Sequence, residues 1–414
     1  MHQKHGAGER MNGPLQGIKV LECGIWQMGP SAGAFLGDLG AEVVKAEERV
    51  RGDPGRGIKW IRGIPVELPG GKSWYFEYNN RNKRSISLDL KKAGGREILL
   101  RLVKGADVFI QNFRLGVAAD LGIDYGTLSR HNPGLIYASA TGFGSRGPDA
   151  QEPAFDYLGQ ARSGMMTIAG EPDAPPVVYG SGIADQIGAI MLAYGVVAAL
   201  FVRERSGMGQ EIEVSHLGSG INLLGLDVFG TMVSGHAPPR VSRKKAYNPL
   251  WNIYQCGDEK WIALAMLQPD RYWSTLCGAL GLDQLLDDPR FNNMESRKKN
   301  CEELIGIFDQ VFITKSSTDW LRILKGAGDI ICSPVNTLGD LLSDPQVLEN
   351  EYITEFDHPA LGRIKAVGLP VRFSRSPGRL RLPAPEFGQH SEEILLELGY
   401  TWDEIAAFKD GEVI

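Results

Sequence analysis

Between Ile18 and Ser139 short apolar runs alternate with helix-length segments, and few folds accommodate that alternation. Ile18–Cys23 is apolar and ends in the loop Gly24–Gly29. Pro30 then opens a helix of small residues, Ser31–Leu39, and Gly40 stops it before a second strand, Ala41–Ala46. Strand, helix and strand at this spacing form a βαβ unit, whose two strands must run parallel. The pattern returns as strand Ser85–Leu88, helix Gly94–Val103, strand Val108–Ile110, helix Tyr125–Arg130 and strand Ile136–Ser139. The expectation is a large, doubly wound, Rossmann-like α/β domain on a parallel sheet. Such domains often hold a dinucleotide, and this sequence argues otherwise. Gly29-Pro30-Ser31-Ala32-Gly33 is not a G-x-G-x-x-G turn, and no P-loop pattern occurs. Glycines at 29, 33 and 37 instead suit a helix packed tightly on its sheet.

A second stretch carries the chemistry. Gly180-Ser181-Gly182-Ile183-Ala184-Asp185 leads into an uncharged run, Ile187–Val202, closed by Arg203-Glu204-Arg205 and the glycine-rich stop Ser206–Gly209. This reads as a helix buried all round, with Gly188, Ala189 and Gly195 allowing close packing. Asp185 falls where an N-cap belongs, and a plain cap is the simplest role for it. A helix N-terminus also favours negative charge. The free amides of the first turn could bind an oxyanion forming beside the carboxylate. Asp185 is therefore the candidate nucleophile.

With 414 residues there is room for two domains. Residues 14–217 are read as the first part of the large domain and 218–240, where periodicity is lost, as a linker. Residues 241–330 form a smaller α+β domain, 331–360 a returning linker, and 361–414 complete the large domain. Within the small domain a strand pair brackets Gly257–Lys260, and helices are expected over Asp270–Leu280 and Arg297–Val311. The net charge of −6 argues against nucleic acid or anionic membrane as a partner. The uncharged run after Asp185 is shorter than the ~20 residues of a membrane span. Five scattered cysteines without a C-x-x-C, and a polar start with no apolar leader, predict a cytoplasmic protein without disulfides or a zinc site.

Three weaker features stand near strand ends: Asn82-Lys83-Arg84-Ser85, Gln111-Asn112-Phe113-Arg114 and Ala154-Phe155-Asp156. Singly each reads as solvated surface; together they offer cations, an aromatic face and amides to a phosphorylated, adenine-bearing ligand. The chain here resembles the class III coenzyme A transferases (CaiB/BaiF type), which include formyl-CoA, carnitine-CoA and benzylsuccinate CoA transferases and the α-methylacyl-CoA racemases. The matching stretches run in family order from Pro14–Glu22, Gly29–Glu47, Asn82–Lys91, Ala106–Arg114 and Asn132–Gly144 to Gly182–Ala189, Ser206–Ser215 and Gly388–Tyr400.

The resemblance implies that Asp185 is the nucleophile and that two protomers interlink into a dimer, of identical chains or with a paralogous subunit. It implies no permanently bound cofactor and no metal, with a coenzyme A thioester and a carboxylic acid as substrates. It assigns CoA contacts to Gln27, Met28, Leu88, Lys91, Asn112, Phe113 and Arg114, and places Phe155 and Asp156 near the reacting carbonyl. A family arginine is replaced by Glu48, and another falls near Asp120, so Lys83, Arg84 and Arg114 are the expected phosphate ligands. The racemases carry histidine where this chain has Phe155, which removes the acid/base partner an α-proton exchange needs. The implied activity is CoA transfer, for example from succinyl-CoA to an aromatic or branched acid of the benzylsuccinate type. The alternatives are an acyl-CoA epimerase and a non-catalytic partner subunit. In place of the formyl-CoA enzyme's glycine-rich lid stands Tyr247-Asn248-Pro249-Leu250-Trp251, read as core or as a pocket wall.

Overall fold

The computed structural model describes residues 13–414. They fold as two compact units: residues up to Met166 with Val178–Ala237 and Asn350–Ile414, and Thr167–Val177 with Pro238–Glu349.

The first unit is built on six parallel strands: β1 (Lys19–Glu22), β2 (Glu42–Glu48), β3 (Lys83–Leu88), β4 (Val108–Gln111), β5 (Ile136–Thr141) and β6 (Gln210–Ser215). Their order is β6-β5-β4-β1-β2-β3. The chain lays strands to one side of β1, then crosses to the other, so the crevice between the ends of β1 and β4 is the topological switch point. The central strands are buried at nearly every position because both faces are covered: all four residues of β4 and the first five of β5 are buried.

On one face α1 (Met28–Asp38) and α6 (Ile183–Ser206) enclose Val20, Leu36, Val43, Ile110, Leu192 and Val196. (Between them in sequence lie α2, Trp74–Asn80; α3, Ala93–Gly105; α4, Tyr125–His131; and α5, Asp156–Arg162.) On the opposite face α3 and two C-terminal helices enclose Leu21, Ile86, Leu99, Phe109, Tyr137 and Leu395. The spaced glycines of α1 make the close approach possible. A β-carbon at Gly37 would lie 2.8 Å from the Asn82 Cβ, and one at Gly33 would collide with the Glu22 carboxylate.

Two expectations change here. Helix α6 buries only one stripe, Ala184, Gly188, Ala189, Leu192, Ala193, Val196, Ala199 and Leu200. Its other side leaves Ile190, Tyr194, Val197 and Phe201 exposed, because a helix laid on one face of a sheet has a single covered stripe. Among the described residues α6 is the one unbroken helix long and apolar enough to cross a membrane. Its length exceeds the charge-free run because charged residues sit in its first and last turns, and its buried stripe closes the sheet's core. Much of the stretch 218–240, expected to be a linker without periodicity, is helical: α7 (His216–Leu223) runs into it and α8 (Gly225–Ser234) lies within it. Their apolar side chains show no polar face; Leu226, Phe229 and Met232 are exposed, so the usual alternation is missing.

The second unit carries an antiparallel sheet of β7 (Trp251–Gln255), β8 (Trp261–Ala265) and β9 (Cys332–Pro334). Helices α9 (Pro269–Leu280), α10 (Cys301–Phe312) and α11 (Ser317–Gly326) pack around Tyr254, whose ring stacks on Phe312 at 4.9 Å. Pairing of β9 with β8 continues this unit past residue 330. Leu250 is buried in its core, whereas Tyr247 and Trp251 are exposed.

After the hairpin β10 (Ile353–His358) and β11 (Gly362–Val367), the chain lines the outer edge of β3. Asn82 N–H donates to the Leu382 carbonyl and His390 N–H to that of Ser85, both at 2.9 Å. Ser87 N–H donates to Ser391 Oγ at 3.2 Å. Helices α12 (Ser391–Glu397) and α13 (Trp402–Asp410) follow. An edge covered this way offers no open ladder to another chain.

Candidate active site

Beneath the switch point lies a buried charge cluster. Glu22 ends β1 fully enclosed, 2.8 Å from Lys45 Nζ and 2.6 Å from Lys83 Nζ. Burial alone would raise the Glu22 carboxyl; the two ammonium groups outweigh it and hold it below the usual range. Lys45 also reaches Asp53 at 2.9 Å and the Gly24 carbonyl at 2.7 Å. Asp53 in turn accepts from Trp26 N–H at 3.0 Å and Gly55 N–H at 2.8 Å. These bonds set the loop after β1, in which Trp26 takes the left-handed conformation at φ 66°. Asn112, just beyond β4, locks the same loop by accepting from Ile25 N–H at 2.8 Å and donating to its carbonyl at 2.7 Å.

The cluster removes two expected phosphate ligands. Lys83 is buried; its ammonium donates to Pro30 O, Asn79 O and Asn80 Oδ1 and forms an ion pair with Glu22. Burial pushes it down to about 8. Arg84 points to the other face of the strand, where Glu393 and Glu397 engage it, each at 2.7 Å. Both cations hold the fold, and neither lines the cleft around Asp185.

The first turn of α6 also differs from expectation. Gly182, at φ 76°, is the N-cap, and Asp185 is the third helical residue. The capping carboxylate comes from Asp156 at the start of α5. Its Oδ1 accepts from Ala184 N–H at 2.6 Å and Asp185 N–H at 3.2 Å. Two of the amides expected to be free for an oxyanion, those of Ala184 and Asp185, are therefore occupied. Gln27 Nε2 donates to the Gly182 carbonyl at 3.3 Å, tying the β1 loop to the same turn.

Asp185 looks into a cleft of about 420 Å³ whose walls include Met28, Asn112, Phe113, Arg114, Phe155 and Asp156. The exposed Phe155 ring stands edge-on to Trp26 at 5.7 Å. A second cavity of about 230 Å³, lined by Leu88, Lys91 and Phe113, shares Ile25, Phe113 and Val117 with the cleft. A third, of about 750 Å³, lies across Gln27 and Gly182 and shares Tyr75 with the cleft. All three belong to the first unit.

Two residues of this site went unread in the sequence. His216 follows β6, and its Nε2 lies 2.8 Å from Asp185 Oδ1. Tyr75 stands in the cleft wall, where burial and the carboxylates of Asp185, Asp53 and Asp156 raise its phenol above the usual range, keeping a neutral O–H there. A polar residue just past the last parallel strand was the available signal for His216; for Tyr75, inside an aromatic run, there was none.

Residues 15–391 match the family model described as CoA-transferase family III. The (R)-2-hydroxy-4-methylpentanoate CoA-transferase of Clostridioides difficile is 31% identical over 403 residues, covering 97% of this chain and 99% of that protein. The succinyl-CoA–D-citramalate CoA-transferase of Chloroflexus aurantiacus is 31% identical over 409 residues, covering 99% of this chain and 100% of its own. Among solved structures, a CAIB/BAIF family protein from Brucella suis superposes with a TM-score of 0.84 at 32% identity, covering 94% of this chain and 100% of that one. Matched along nearly its whole length in sequence and in fold, the chain belongs to CoA-transferase family III.

Proposed function

We propose that this enzyme moves coenzyme A from an acyl-CoA to a carboxylic acid through covalent intermediates on Asp185. The observation that carries the reading is the state of that carboxylate. It faces the cleft with Oδ1 held by His216, and Oδ2 accepts no hydrogen bond from the described residues. Attack by Oδ2 on the thioester carbonyl releases CoA thiolate and leaves a mixed anhydride. The thiolate then attacks Asp185 Cγ, expelling the donor acid as its carboxylate and forming an aspartyl-CoA thioester. The acceptor acid reverses both steps. Dividing one exchange into successive acyl transfers is covalent catalysis.

The cavities support a place for each part of the substrate. The 230 Å³ cavity suits an adenine against Leu88 and Phe113, with Lys91 and Arg114 left to meet the phosphates. The shared wall of Ile25, Phe113 and Val117 leads from there to Asp185. Gln27, Met28, Asn112, Phe155 and Asp156 then frame the thioester end. For the acid, the 750 Å³ cavity offers Ile61, Trp74, Tyr78, Phe356 and Leu380. Of its basic side chains, Arg81 is engaged by Asp38 and His358 by Glu77, and Lys365 also lines it. That lining favours a branched or aromatic acid, with benzylsuccinate one candidate and succinyl-CoA a donor to test first. Phe155 can exchange no proton, which disfavours epimerisation. The exposed apolar sides of α6 and α8 are the surface we assign to a second copy of the chain.

Asp185→Asn keeps the size of the side chain and removes the nucleophile. CoA exchange measured with a panel of acyl-CoA donors and acids is expected to vanish while CoA-ester binding persists. More than a small residual rate, deamidation excluded, would defeat the assignment.

A further inference from the structure

We propose that His216 is a catalytic residue of this transferase, supplying the hydrogen bond that stabilises the oxyanion formed on Asp185 itself. The inference rests on the covalent route above and names a group that the route needs. When CoA thiolate attacks Cγ of the anhydride, the C–S bond forms and the carbonyl π pair moves onto Oδ1. The pair returns as the Cγ–Oδ2 bond breaks, and the donor acid leaves carrying Oδ2. No proton changes hands. Each passage into or out of the aspartyl-CoA thioester therefore places a full negative charge on Oδ1.

Three amides of the first turn are already engaged. Asp156 Oδ1 occupies the amides of Ala184 and Asp185, and the Gln186 amide donates to the Gly182 carbonyl. His216 Nε2 already lies 2.8 Å from Oδ1. A carboxylate oxygen only accepts, so Nε2 carries the proton, and the buried Nδ1 has no hydrogen-bond partner among the described residues. The bond costs no reorganisation when the oxyanion forms, and it strengthens as the neutral anhydride carbonyl takes on a full charge.

The ring is also built into place. It is the first residue of α7, with its side chain 7% exposed. Two neighbouring positions are glycine where it packs. A β-carbon on Gly159 would lie 2.7 Å from the His216 Cβ, and one on Gly188 would lie 3.9 Å from its Cδ2. A side chain held from two helices and aimed at one carboxylate oxygen matches what preorganised stabilisation requires.

The test compares His216→Gln with His216→Met, similar in length and differing in the N–H that can reach Oδ1. Each purified protein is mixed with succinyl-CoA, acetyl-CoA or cinnamoyl-CoA without acceptor acid. Rapid quench and intact mass then follow covalent attachment of CoA, while equilibrium binding of the ester is measured separately. The expected result is attachment slowed about a hundredfold in the methionine variant. The glutamine variant should recover to within about tenfold of wild type, with ester affinity changed less than threefold in both. Equal rates in the two variants, whether fast or slow, would overturn the role of His216. If wild type acquires no CoA from any ester, the covalent route itself fails, and this proposal with it.

Discussion

Lys83 shows how far a residue's role depends on its surroundings. In the sequence it stands beside Arg84 in what reads as a solvated basic cluster; in the fold it shares one carboxylate, Glu22, with Lys45. Lys45 has Asp53 as a second partner, so Lys83 is the ammonium that yields its proton first, at about 8. The unfolded chain holds that proton up to about pH 10.4. Between these values the unfolded state binds more protons, and Lys83 makes stability rise with pH. The buried thiols of Cys23 and Cys277, pushed up to about 12, act in the opposite direction, so the effect must be read as a difference. The stability of wild type relative to Lys83→Met should grow by on the order of 1–2 kcal/mol from pH 7.5 to 10 in urea titrations. A constant difference would mean that Lys83 keeps its charge. The place of Asp185 in the first turn of α6 was legible because it is the lone acid before a long uncharged run. The capping role of Asp156 and the presence of His216 were not, since what they do depends on a partner 29 and 31 residues away.

At the scale of elements, the parallel strands and α1 were readable because period and glycine punctuation agree there. Helices α7 and α8 were hidden because exposed apolar residues erase the amphipathic signal. The junction of α5, α6 and α7 is where packing and chemistry meet, and Gly159 is its narrowest point. In Gly159→Ala the new methyl group would lie 2.7 Å from the His216 Cβ and 3.0 Å from the Ala184 Cβ. Overpacking of this kind costs about 1–3 kcal/mol. Thermal unfolding should register that loss, and kcat should fall further than the loss of folded protein explains, because His216 moves off Asp185. A variant with full kcat and unchanged stability would show that the junction has slack.

For the whole molecule, the break between the units after Ala237 falls within the stretch read as a linker, and the C-terminal segment expected to complete the large domain from residue 361 joins the first unit from Asn350. The exposed apolar sides of α6 and α8 lead us to expect an obligate dimer whose dissociation coincides with unfolding. Native mass spectrometry on dilution checks this; a compact, active monomer at low concentration would refute it. The covering of the β3 edge has a further consequence, in time. Ser85 and His390, which bond across that edge, are 305 positions apart. At a synthesis rate of about 5–20 residues per second, the edge strand waits about 15–60 s for its cover to be made. During that interval the nascent chain presents an open strand edge to other chains nearby. Growth temperature and chaperone supply, more than the stability of the finished protein, should then set how much native enzyme a cell accumulates.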